Sequence, residues 1–223
     1  MGGKPGSEEI VHGSVWSRMH GGYFSDPTVA RPLVEAIQAI QKAAAPDRIV
    51  ALGGGTGFLL GQLRNAGVGT ASVMVNLDNS PLQLAEAEKS GCNCVLGSVA
   101  AFRRIEVVPP GQRALWTMRS VLHYVGEEGL VPMLAHLRAQ AEPGEYWVHQ
   151  TACFERESDA ACLNSLYRLM GTGKWYSTTT GLHHDLAAAG WRVENSFPAT
   201  ILFLESGDLG RRYGFAESEL GRI

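Results

Sequence analysis

The stretch "RIVALGGGTGFLL", residues 48–60, sets a run of glycines and a threonine between two apolar segments. Each glycine adds backbone freedom that folding must remove, so such a cluster marks a place where side chains leave no room for what lies beside the backbone. A short apolar run, a glycine turn and a second apolar run read as a strand feeding a helix. The alternation then repeats. "SVMVNLD", "CNCVLG", "RALWTM" and "EYWVHQT" read as strands, and "SPLQLAEAEKSG", "EEGLVPMLAHLRAQ" and "GLHHDLAAAG" as helices. Ser80, Pro81 and Gln83 make a capping box at the start of one of them. An earlier helix starts at Asp26-Pro27, carries Val34, Ile37 and Ile40 at helical spacing, and stops at Pro46.

Strands separated by helices build a parallel sheet with right-handed crossovers. Two late runs, "WRVENSF" and "TILFLES", are joined only by Pro198-Ala199, too short a link for a parallel crossover, so an antiparallel pair is expected there. The expected fold class is α/β: a seven-stranded, mostly parallel sheet with one antiparallel strand near its edge and helices on both faces, Rossmann-like. Residues 1–24 read as an N-terminal arm, 25–206 as the main domain and 207–223 as a tail. The tail is amphipathic enough for a closing helix or a homodimer contact, and both stay open.

Composition narrows the partners. The chain has 223 residues, 45% apolar and 18% charged, enough for one domain with a substantial core. A net charge of −3 and the absence of a basic run argue against nucleic acid and anionic membranes as partners. No stretch reaches the ~18 apolar residues of a membrane span, and "MGGKPGSEEI" has no apolar signal segment. Cys92, Cys94, Cys153 and Cys162 form no CxxC pair, so free thiols in a cytoplasmic chain without a metal site are expected.

In open α/β sheets ligands lie beyond the carboxyl ends of the strands. A loop of Gly53, Gly55 and Gly57 before a helix offers free N–H groups and a positive helix end there. Asp78, ending the next strand, has the acceptor chemistry for both hydroxyls of a ribose. A dinucleotide fingerprint needs glycine where Phe58 stands, and a phosphate-binding loop needs Lys after Gly57, so the spacing that fits is G-x-G-x-G.

With "VALGGGTG", "NLDNSP", "LGSVAAF", "LWTMRSVLHYV" and "LHHDLAAAGWRV" in this order, the chain resembles the class I S-adenosylmethionine-dependent methyltransferases. The resemblance implies S-adenosyl-L-methionine as cofactor. It places Gly53, Gly55, Thr56 and Gly57 along the methionine and ribose, Asp78 on the ribose hydroxyls and Asn79 beside the adenine. Ser98 and Val99 would flank the ring, and Met118, Arg119 and Ser120 would border the methionyl part. Two positions depart from the family pattern: Ala51 stands where an acid is usual, and Ser98 where an aspartate is common. These departures keep open a non-catalytic cofactor-binding module of the same fold. The aminopropyltransferases share a GGGTG-like loop but place an acid where Thr56 stands and further acids after the fourth strand, which "TMRSVLHY" lacks.

Methyl transfer from a sulfonium needs alignment and, for an oxygen or nitrogen nucleophile, a base. Of the seven histidines, His123 and His149 follow the fourth strand and end the fifth, on the ligand side, and are the candidate catalytic groups. Tyr23 and Phe24 of the arm, and Trp175 and Tyr176 of "GTGKWYSTT", are the candidate walls for a small, partly apolar methyl acceptor. The arm, with Trp16 and Met19, is expected to act as a lid.

Overall fold

Arg48–Leu52 (β1) runs through the middle of a sheet because its residues serve two cores at once. Val50 and Leu52 pack to one side, and Ile49 and Ala51 to the other. The computed structural model describes residues 22–69, 72–213 and 218. Ahead of β1, α1 (Pro27–Ala44) is capped by the Asp26 carboxylate, which accepts from the Thr28 N–H at 2.7 Å, and buries Leu33, Val34 and Ile37. After β1 come α2 (Phe58–Asn65), β2 (Val73–Asp78), α3 (Pro81–Lys89), β3 (Asn93–Leu96), the short α4 (Arg104–Val107) and β4 (Ala114–Arg119). The chain continues through a 3-10 turn (Leu122–Tyr124) to α5 (Gly126–Gln140), β5 (Tyr146–Gln150), α6 (Glu157–Leu169), α7 (Thr179–Ala188) and α8 (Ser206–Tyr213).

The sheet has five strands in the order β3-β2-β1-β4-β5, and every pairing is parallel. One core lies between the sheet and α1, α2 and α3; the other, under α5 and α7, centres on Trp116, Met118, Met133 and Leu134. The order reverses between β1 and β4, so the crevice at their carboxyl ends is where a ligand belongs. At the opposite end of the sheet, the Glu145 carboxylate accepts from both Arg104 Nη atoms (2.8 and 2.7 Å), from the Trp116 Nε1 at 3.0 Å and from the Ala114 N–H at 2.6 Å.

Among the described residues, the expected sixth and seventh strands do not form, and no strand is antiparallel. "WRVENSF" and "TILFLES" alternate apolar and polar residues, but alternation makes a strand only where a partner supplies main-chain bonds and a layer covers the apolar face. Phe197, Ile201 and Phe203 stand 78%, 71% and 79% exposed, with no such layer above them. Trp191 instead turns back onto α5, its Nε1 donating to the Leu134 carbonyl at 3.0 Å. The capping box of α3 is also only half built: Ser80 Oγ accepts from the Gln83 N–H at 3.4 Å, while the Gln83 side chain is turned towards the glycine loop.

Residues 1–21 of the arm, including Trp16 and Met19, lie outside the described residues, as do 214–217 and 219–223 of the tail. The described part of the tail is α8, whose Leu209 packs against Tyr167, Met170 and Tyr176. Lys174 lies beneath it, its Nζ 4.5 Å from the Tyr124 ring centre and donating to the Tyr213 hydroxyl at 2.6 Å. Among the described residues, no helix is long and apolar enough to cross a membrane.

Candidate active site

The glycine loop turns sharply because Gly53, Gly55 and Gly57 all take left-handed backbone, with φ of +65°, +55° and +78°. A side chain at Gly53 would strike Val121, and one at Gly57 would strike Cys92 and Ala87. The turn is pinned from β2. The Gly53 N–H donates to the Leu77 carbonyl at 2.8 Å, and the Gly55 N–H donates to Asp78 Oδ2 at 2.8 Å. Asp78 Oδ1 accepts from the Ser80 N–H at 2.9 Å, so this buried carboxylate braces two turns at once. Each oxygen keeps a second lone pair, enough to accept a ribose hydroxyl.

The remaining residues expected at the cofactor divide by exposure. Thr56 lies half-buried in the turn, and Asn79 is exposed just past Asp78. Ser98 is exposed in the turn after β3, its Oγ accepting from the Ala100 N–H at 3.2 Å, and Val99 packs onto the core beside it. Met118 is sealed in the core at 1% exposure, which leaves only its main chain at the crevice. Ser120 takes a left-handed backbone (φ +59°), unusual for a residue with a side chain, and donates through its N–H to the Gln150 carbonyl at 2.9 Å.

Arg119 ends β4 as a largely buried cation. Its Nη1 donates to the Phe24 carbonyl at 2.8 Å, its Nη2 to the Tyr23 carbonyl at 3.3 Å and its Nε to Gln150 Oε1 at 2.9 Å. The guanidinium also lies 5.4 Å from the ring centre of Phe58, the first residue of α2. Burial pulls its pKa below the ordinary arginine value, against the opposing influence of Tyr23 and Asp26. Tyr23 and Phe24 thus meet the end of β4, and Tyr23 donates from its hydroxyl to the Thr200 carbonyl at 2.7 Å.

His123 and Trp175 come together, and His149 packs on Trp147. Trp175 donates its N–H to the His123 carbonyl at 3.0 Å, and the His123 ring stacks on Tyr176 with centres 5.1 Å apart. A small cleft is lined by Leu122, His123, Thr151, Cys153, Trp175 and Leu182. Val121, two residues before His123, forms the wall against Gly53, so cleft and glycine loop adjoin. Burial pushes the Cys153 thiol up to about 11 and raises the Tyr176 phenol as well, which keeps both neutral. Tyr176 itself is buried and serves as the platform beneath His123 rather than as an open wall. His149 stacks on Trp147 at 4.3 Å; burial, with His183 nearby, holds its pKa at about 4.

Sequence reasoning missed Asn76 and Gln83 under the glycine loop and Gln150 beside Arg119. Asn76 carried a signal: it interrupts the apolar run of a strand buried on both faces. Among the described residues, no group of three or more His, Cys, Asp or Glu side chains is placed to hold a metal.

No family model and no curated protein matches the chain. Solved structures do. Mitomycin 7-O-methyltransferase superposes with a TM-score of 0.60 at 20% identity, over 87% of this chain and 57% of that one. NcsB1, an O-methyltransferase from neocarzinostatin biosynthesis solved with S-adenosyl-L-homocysteine and 1,4-dihydroxy-2-naphthoic acid, gives 0.56 at 21% identity, over 80% and 57%. An S-adenosylmethionine-dependent methyltransferase from Mesorhizobium loti gives 0.55 at 18%, over 75% and 82%. The chain spans little more than half the length of the first two. With its parallel sheet, its glycine turn after β1 and these superpositions, the chain has the fold of the class I S-adenosylmethionine-dependent methyltransferases.

Proposed function

We propose that the chain transfers a methyl group from S-adenosylmethionine to a small-molecule acceptor. One observation carries the reading: three left-handed glycines clear a space directly beside the buried Asp78 carboxylate, at the point where the strand order reverses. That space suits a nucleoside, whose ribose hydroxyls donate to a carboxylate. Its relatives in fold support the choice, since they include enzymes named as methyltransferases and a complex with S-adenosyl-L-homocysteine.

The bound cofactor supplies a methyl group already activated on a sulfonium. The chain's own part is alignment and exclusion of water. In this reading Gly53, Gly55, Thr56, Gly57 and Asp78 hold the ribose and methionine, Asn79, Ser98 and Val99 flank the base, and Arg119 faces the carboxylate of the methionyl end. His123 takes the proton leaving the acceptor's nucleophile, with Trp175 beside it as a wall of the acceptor cleft, while Tyr23 and the buried Phe24 stay against Arg119 at the end of β4. The residues lining the cleft are mostly apolar, which favours a small, partly apolar acceptor.

A second reading, a module that binds cofactor without turnover, is favoured by one observation. Ala51 is 2% exposed and brings no acid to the loop. Incubation with S-adenosylmethionine and a panel of small hydroxylated acceptors, with S-adenosylhomocysteine release followed by mass spectrometry, separates the two. Release that depends on an acceptor supports the enzyme; binding of S-adenosylhomocysteine without turnover on any acceptor supports the module.

A further inference from the structure

The glycine loop rests on a row of three residues crossing the sheet: Asn76 on β2, Ala51 on β1 and Thr117 on β4. Ala51 is in register with both neighbours, so all three side chains leave the sheet on the same face. Asn76 and Thr117 are each 0% exposed. Asn76 Nδ2 donates to the Gly55 carbonyl at 2.9 Å, while Asp78 takes the N–H of the same residue. A side chain on Gly54 would collide with Asn76 Oδ1 and with the Ala51 methyl group, so the loop lies directly on this row. Gly55 is therefore gripped at its N–H and its C=O by two side chains of β2, and β1 contributes only a methyl group. Asn76 Oδ1 and Thr117 Oγ1 are sealed from solvent and have no hydrogen-bond partner among the described residues. Two unpartnered polar atoms flanking one alanine are costly to bury and need a reason beyond packing.

We infer that Asn76 is the positioning residue of the cofactor loop, supplying from β2 the polar support that β1 lacks at Ala51. The inference rests on the cofactor reading above. Its donated hydrogen bond orients the Gly55 peptide, which sets both the N–H that meets Asp78 and the floor on which the nucleoside lies. A carboxamide is required because the group it must satisfy is a carbonyl: a carboxylate at the same place accepts but does not donate.

Calorimetric titration of wild type, N76A and N76D with S-adenosylhomocysteine tests this, alongside thermal melts of each. Wild type is expected to bind, and both variants to bind at least about tenfold more weakly at pH 8, well below their melting temperatures, as for one buried hydrogen bond lost. In N76D the affinity relative to wild type is expected to recover as the pH falls towards 6, because the introduced buried carboxyl takes up a proton and regains a donor. A merely structural role would lower the melting temperature and leave both the dissociation constant and its pH profile unmoved. Variants that bind within about twofold of wild type, or N76D weakened equally at every pH, overturn the inference. Failure of wild type to bind overturns the cofactor reading instead. N76D keeps the side chain's shape, so the test stands even where N76A does not fold.

Discussion

Arg119 donates from Nη1 to the Phe24 carbonyl across 2.8 Å, tying the end of β4 to the segment that enters α1. A largely buried guanidinium bonded to two main-chain carbonyls and one side-chain amide satisfies three of its five N–H groups with neutral acceptors. That leaves it suited to an anionic group of a ligand. Arg119→Met is expected to weaken S-adenosylhomocysteine binding about tenfold. It should leave 5′-methylthioadenosine, which lacks the amino-acid carboxylate, within about twofold. Equal losses for both ligands, measured by calorimetry, would assign Arg119 to holding the arm alone.

His123 owes its place to contacts on both sides: Tyr176 stacks beneath it and Trp175 is bonded to its main chain. His123→Asn keeps size and polarity and removes the base. Once an acceptor is found, its turnover is expected to fall by about 10²-fold or more, with S-adenosylhomocysteine affinity unchanged. Equal rates for variant and wild type across pH 6 to 9 would remove His123 from the chemistry.

His149 makes a prediction about stability rather than catalysis. Its folded pKa of about 4 lies below the ordinary 6.5, so the unfolded chain binds a proton more readily than the folded one. Stability is therefore unaffected above the unfolded value and declines as the pH falls from about 6.5 towards 4, by about 3 kcal/mol at most from this group. His149→Phe is expected to flatten that part of the profile in urea melts. An unchanged slope would show that His149 does not remain neutral in the folded protein.

Glu145 loses its contribution in acid too, but as a charged group rather than a neutral one. Burial raises its carboxyl, and the hydrogen bonds from Arg104, the Glu142 and Ala114 N–H groups and Trp116 together outweigh it and hold the carboxyl below the usual value. Its contribution is present above the unfolded carboxyl pKa and is lost as the pH falls through the lower folded one. Glu145 is 1% and Arg104 18% exposed in their side chains, so Glu145→Ala leaves Arg104 with the more exposed Glu142, 3.2 Å from its Nε, and takes the acceptor from the Trp116 and Ala114 N–H groups. A loss of about 1–3 kcal/mol by denaturant unfolding is expected. A loss below about 1 kcal/mol would mean that water replaces the carboxylate.

How far the sequence could be read follows from where each signal resides. Asp26, Ser80 and the apolar stripes of α1 and α5 are local signals, and the elements form where those residues stand. Gly53, Gly55 and Gly57 announced a strand-to-helix turn free of side chains, and the turn forms there with all three in left-handed backbone. The late strands depended on partners: Val193, Phe197, Ile201 and Phe203 alternate as a strand does, yet nothing in that spacing states whether a sheet edge receives them. Asn76 was legible only as a polar interruption. Its meaning required the register that sets it beside Ala51, and register between strands is a property of the fold. Arg119 likewise gains its role from Phe24, far away in sequence.

The central claim is that an S-adenosyl ligand lies on the glycine loop against Asp78. Calorimetric titration of wild type and Asp78→Ala with S-adenosylhomocysteine measures it directly. Wild type is expected to bind with a micromolar dissociation constant, and Asp78→Ala at least about tenfold more weakly, because a carboxylate that accepts from both loop and ribose is worth about 1.5–3 kcal/mol. No heat of binding at millimolar ligand, or equal affinity in the two proteins, would contradict the account.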